Sequence, residues 1–109
     1  MKLFTAVSYV GLFLGAALGQ GYTPSNGFVP DGSTAVRTAE AVLIPVYGET
    51  KIESERPFIA TLKKGVWTVE GTLRCSDGKG GFTEDCVGGV ATVQLSKQDG
   101  RIISMVHYK

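Results

Sequence analysis

The chain has 109 residues, with 43% hydrophobic and 19% charged residues, and Lys+Arg 11 against Asp+Glu 10. A folded part of about 90 residues, once an N-terminal leader is set aside, forms one domain with one thin core, which excludes a large multi-step enzyme. Without Lys2 the two signs of charge balance, so no basic surface is available to grip a nucleic acid backbone, and one histidine with two cysteines cannot build a standard zinc site without carboxylates.

The chain opens on Met1-Lys2, followed by an uncharged and mostly apolar run from Leu3 to Leu18 that ends in small residues at Ala17-Leu18-Gly19. This is the pattern of a secretory signal peptide, with cleavage expected after Gly19 and an uncleaved anchor as the alternative. The run falls short of the roughly 20 apolar residues that a membrane span requires. Export places the mature protein in the periplasm or outside the cell, with no stable membrane span once the leader is removed.

Residues 20–30 hold Pro24, Pro30, Gly21 and Gly27 among polar residues, which predicts an irregular arm. The domain proper is expected over 31–109. Asp31 or Ser33 can cap a helix over about 33–47, in which Val36, Ala39, Val42 or Leu43, and Val46 recur at helical spacing. Pro45 loosens its last turn and Gly48 ends it. A further helical turn through Lys51 to Ser54 is compatible with the sequence.

After Pro57 the period changes to two. Phe58, Ala60 and Leu62 alternate with Ile59, Thr61 and Lys63, and Lys63-Lys64-Gly65 turns the chain into VWTVEGTLR, where Trp67, Val69, Gly71 and Leu73 share a face. Gly71 in mid-strand marks a point of sheet curvature. GVATVQL aligns Ala91, Val93 and Leu95, Gln98-Asp99-Gly100 makes a turn, and RIISMVHY forms the last strand. Helical and strand periods are segregated, so the expected class is α+β: an N-terminal helix packed on a curved four-stranded antiparallel sheet.

Cys75 and Cys86 bracket the polar, glycine-rich stretch CSDGKGGFTEDC, and in an oxidising compartment they are expected to pair. Closing a loop of that length is worth about 3 kcal/mol of unfolded-chain entropy. Within it, Gly78-Lys79-Gly80-Gly81 lacks the continuation into a helix that a phosphate loop needs and reads as a flexible tip tied at its base.

Chemistry has few carriers. Asp31, Asp77 and Asp99 each precede glycine, the signature of a turn, and Asp85 adjoins Cys86. Glu70, on the face opposite Trp67, is the one carboxylate well inside a predicted strand, and His107 is a lone histidine in the last strand. No G-x-S-x-G elbow is present. These residues give a catalytic role little support, and no cofactor or metal is called for.

The segments FVPDGSTAVRTAEAVLIPVYGE, ERPFIATLKKGVWTVEGTLR and GGVATVQLSKQDGRI together resemble a bacterial family of small immunity proteins of nuclear-transport-factor-2-like fold, over about residues 28–109. The resemblance rests on the AEA-x-L-I-P-x-YG block, the G-V-W-x-V-x-G-x-L strand and the GGV…DG-x-I hairpin. It implies a cone-like α+β domain without catalysis that binds a cognate protein toxin of a polymorphic toxin or contact-dependent competition system. The segment from Cys75 to Cys86 departs from it as an insertion. Toxin contacts are expected at Glu70, Arg74, Phe82 and His107. The alternative is a small secreted enzyme of isomerase or dehydratase type, or a ligand carrier, using the cone of the same fold.

Mass spectrometry of the exported protein before and after reduction is expected to find the two thiols joined; two free thiols would remove the Cys75–Cys86 bridge.

Overall fold

A computed structural model describes residues 19, 21–83 and 88–108. Residues 1–18 of the leader expected over 1–19, and Glu84, Asp85 and Cys86, lie outside the described residues. Two helices and six strands follow in order: α1 (Gly32–Tyr47), α2 (Glu49–Ser54), β1 (Ile59–Lys63), β2 (Val66–Glu70), β3 (Cys75–Ser76), β4 (Phe82–Thr83), β5 (Ala91–Ser96) and β6 (Ile102–His107).

Helix α1 begins where Asp31 caps it. The carboxylate Oδ1 accepts from Thr34 N and Thr34 Oγ1, each at 2.8 Å, and the backbone bond holds the Asp31 carboxyl below its ordinary range. The helix buries Ala35, Ala39 and Leu43 completely, whereas Val46 is 61% exposed. Ala39 and Leu43 thus lie on the expected stripe, Val36 packs half-buried against the core beside Ala35, and Val46 faces solvent instead. The two alanines, with their small side chains, let the helix axis approach β1, β2 and β5 closely. Gly48 ends α1 at φ 94°, its N–H donating to Ile44 O at 2.8 Å, and the chain turns at once into α2, where Ile52 is fully buried. The expected turn at 51–54 is thus part of a six-residue helix.

The main sheet runs β1-β2-β5-β6, antiparallel throughout, which is the expected four-stranded meander. Lys64 and Gly65, at φ 50° and 77°, make a two-residue turn of the mirror-image type that suits the twist of a hairpin. Trp67, Val69, Ala91, Val93 and Leu95 face α1 and form the core with Val29, Leu43, Ile52 and Phe58. The other face is polar along its middle row: Gln94 Nε2 donates to Thr68 Oγ1 (3.3 Å) and Ser104 Oγ donates to Gln94 Oε1 (3.1 Å), bridging β2, β5 and β6. One helical layer on one side of an open sheet confirms the α+β class.

Three expectations need correction. Strand β2 stops at Glu70 rather than reaching Arg74, because Gly71 N donates to Ala91 O (3.0 Å) and Thr72 N then donates to Glu55 O (2.7 Å), drawing the chain out of the ladder. Leu62 on β1 is 43% exposed, since α1 does not extend over the end of that edge strand. The glycine-rich tip is a hydrogen-bonded hairpin: Cys75 faces Thr83 and Ser76 faces Phe82, while Asp77 Oδ1 accepts from Lys79 N (2.7 Å) and Gly81 N (3.1 Å).

The N-terminal arm is fastened at its far end. Phe28 N and Val29 N donate to Gln98 O and Lys97 O at 3.0 Å each, and Trp67 Nε1 donates to Val29 O at 2.8 Å. Gly27, at φ 83°, lies so close to Lys97 O that a Cβ there would come within 2.4 Å of it. Trp67 therefore joins arm, helix and sheet. Trp67→Ala is expected to cost about 3–5 kcal/mol in urea unfolding, enough to unfold much of the population, while Trp67→Phe, which keeps a ring and loses the N–H, costs about 1–3 kcal/mol.

Candidate functional site

Two places in the fold collect polar and aromatic chemistry. The first is built around Glu55, the residue that follows α2. Its neighbour three residues back, Ile52, is fully buried, and the same helical face carries Glu55 inward until it is only 4% exposed. A buried carboxylate is tolerated where its oxygens find donors. Here both do: Oε1 accepts from Ala91 N at 2.7 Å, and Oε2 accepts from His107 Nε2 at 2.8 Å. Lys51 Nζ approaches Oε2 at 3.8 Å from the solvent side, and the Glu55 carbonyl accepts from Thr72 N. The Tyr47 ring lies against the His107 ring, with centroids 5.3 Å apart and planes at 51°.

Gly71 makes room for this arrangement. A Cβ at that position would stand 2.9 Å from Glu55 Oε1 and 3.1 Å from the Phe58 ring, so the glycine read as a point of curvature also serves a close approach of two segments. Beside it, Arg56 grips Glu40 of α1 through Nε (3.1 Å) and Nη2 (2.7 Å). Glu55 and Arg56 thus fasten α2 to opposite layers, the first to the sheet and the second to α1.

The second place is the β3–β4 hairpin. Phe82 is 71% exposed, and the exposed Arg74 guanidinium lies over its ring, 5.5 Å from the centroid. Phe82 is thus displayed on the surface of the hairpin, stacked on by Arg74, rather than packed into the core.

Of the expected contact residues, the structure brings Arg74 and Phe82 together. Glu70 ends β2, exposed, on the face opposite Trp67 as anticipated, across the ladder from Ile59 and Thr92. His107 is 19% exposed and held by Glu55 and Tyr47. Cys75 opens β3, and its expected partner Cys86 is outside the described residues. Sequence reasoning passed over Glu55. The usable signal was the spacing of Ile52 and Glu55 in KIESERPF, which puts both on one helical face directed at the core.

Glu55 can act as a fastener with the hydrogen bonds it already makes. Glu55→Gln retains an acceptor for Ala91 N–H and is expected to lose little stability. Glu55→Ala leaves that N–H and the imidazole without a partner and is expected to cost about 2–4 kcal/mol in denaturant unfolding, with loss of amide protection in β6.

Comparison with known proteins places this geometry in a family. The uncharacterized protein YhhH of Escherichia coli (strain K12) is 32% identical over 88 residues, 81% of this chain and 62% of YhhH. The uncharacterized protein YbbC of the same strain is 28% identical over 75 residues, 69% of this chain and 55% of YbbC. The chain therefore spans less than two thirds of the length of either relative. No solved structure matches. Among the described residues, no helix is long and apolar enough to cross a membrane. The family described as NTF2 fold immunity protein matches residues 34–109, which takes in nearly all of α1, α2 and the whole sheet, and the chain belongs to that family.

Proposed function

We propose that this protein binds and neutralises a cognate protein toxin outside the cytoplasm, and that it does so as a non-enzymatic inhibitor. Membership of an immunity protein family over residues 34–109 is the observation that carries the reading. The apolar run from Leu3 to Leu18 behind Lys2 and the pair Cys75 and Cys86 support the exported location, so the toxin is one that acts on the wall or passes through the periplasm.

Inhibition proceeds by covering the toxin's active site or its substrate path. Binding energy in such interfaces concentrates in a few aromatic and arginine anchors on a rigid support. Phe82 and Arg74 meet that description, Glu70 adds a carboxylate, and His107 contributes through the end of β6 that it holds. The competing reading, an isomerase- or dehydratase-like enzyme, would need Glu55 or Glu70 as its base. Glu55 already has both oxygens engaged within the fold, and Glu70 stands exposed at the end of β2 rather than inside the cone.

The test is co-expression with a toxin encoded beside this protein in its genome, read as survival and as co-purification of the two chains. Phe82→Ala and Arg74→Ala are each expected to weaken toxin binding by about 2 kcal/mol, near thirty-fold, with unchanged thermal unfolding. Full protection and affinity in the double variant would move the contact surface away from the hairpin.

A further inference from the structure

The charges that balance over the whole chain are divided between the two ends of the domain. At one end the β1–β2 and β5–β6 turns lie side by side, because Val66 pairs with Ser96 and Lys97 N donates to Gly65 O at 2.9 Å. Lys63 and Lys64 stand at the first turn, Lys97 and Arg101 at the second; all are exposed except Lys97, which is half-buried with Nζ donating to Asn26 O. Two carboxylates share this end, and both are engaged: Asp31 caps α1, and Asp99 Oδ2 accepts from Arg101 Nη1 at 3.1 Å. At the other end Glu49, Glu53, Glu55 and Glu70 outnumber Lys51 and Arg56.

The chain also enters the domain at the cationic end. Before Phe28 and Val29, which bond to the second turn, Gly27 N donates to Pro24 O at 3.0 Å. Tyr22 (76% exposed) and Phe28 (49% exposed) flank that bend. The apolar run from Leu3 to Leu18 joins the domain through this arm. Cations draw a protein to anionic headgroups, and aromatic rings settle at headgroup depth, so the two together fit a lipid surface. The same cations would attract a nucleic acid, but the exposed rings favour lipid, as does the exported location, and to that extent the choice rests on the reading of an exported protein.

We propose that this end of the domain docks on an anionic lipid bilayer, with Lys63, Lys64, Lys97 and Arg101 over the headgroup phosphates and Tyr22 and Phe28 at the interface. The division of charge sets the orientation, since the acidic end is repelled by the same surface. The β3–β4 hairpin leaves the sheet after Glu70, at the acidic end, so a docked domain holds Arg74 and Phe82 away from the lipid and open to a partner. With few cations and no deeply inserted apolar face, the binding is reversible and weakened by salt.

Co-sedimentation of the purified protein, as its cell produces it, with vesicles of three parts phosphatidylcholine to one part phosphatidylglycerol tests this. Neither toxin nor cell takes part, so failure here leaves the inhibitor reading standing, and failure of that reading leaves the vesicle result standing. Binding is expected to be about a hundredfold tighter than to phosphatidylcholine alone, and to fall away in about 0.5 M salt. Removing two cations with Lys63→Gln and Lys64→Asn, the asparagine suiting the positive φ of Lys64, is expected to weaken it about twentyfold with melting like the parent's. Lys79→Glu, which takes the same net charge from the hairpin tip, is expected to leave it unchanged. Should the double variant melt early, Lys64→Asn alone decides, with a loss of about fivefold. Equal binding to both kinds of vesicle overturns the proposal, as does a loss as large for Lys79→Glu as for the double variant. Tighter binding to a DNA duplex than to the anionic vesicles also overturns it and gives the cationic end to a nucleic acid.

Discussion

A carboxylate removed from water has to be met by donors from the protein, and those donors then fix where the surrounding chain can go. Glu55 imposes that constraint here. Its side chain bonds to the first residue of β5 and the last residue of β6, and its carbonyl receives the N–H of Thr72 just beyond β2. Three of the four main strands are thereby held at one corner, next to a helix of only six residues. The stabilising part is the completeness of the set, since a buried carboxylate with one oxygen unmatched would cost more than an apolar side chain in the same place. Gly71 allows the approach and Tyr47 closes the imidazole's remaining side. Chain exit from β2 at this corner is also what carries the backbone away from the sheet into the β3–β4 hairpin.

Much of the fold was legible because the periods are clean. Alternation in ATVQL and VWTVE gave the inward rows at Val93, Leu95, Trp67 and Val69, and Asp31 and Gly48 marked the ends of α1. What escaped depends on contacts distant in sequence. That Ala35 is buried while Val46 faces solvent is decided by how closely the helix can approach the sheet, which a single amphipathic segment does not reveal. The end of β2 is set by Glu55, 17 positions before Thr72, and by Ala91, 20 positions after Gly71. Glu55 was not singled out in KIESERP, and Asp77, read as a turn residue from the glycine after it, organises a hairpin tip.

The candidate site divides along the same line. Glu70, Arg74 and Phe82 were readable as surface groups, and the pairing of Arg74 with Phe82 is what the structure adds. His107 was readable as a residue of interest, but its partners sit on α1 and directly after α2, more than fifty residues earlier for Glu55. Among the described residues the hairpin's strands pair only with each other, so the corner at Glu55 does not depend on them.

The central claim is that the protein works by occupying a toxin rather than by transforming anything. Titrating it into a fixed amount of active toxin tests this directly. The account predicts that inhibition rises linearly and ends at a fixed whole-number ratio of the two chains, with the complex recoverable intact. Complete loss of toxin activity at a small fraction of that ratio, with the protein left free and reusable, would contradict it.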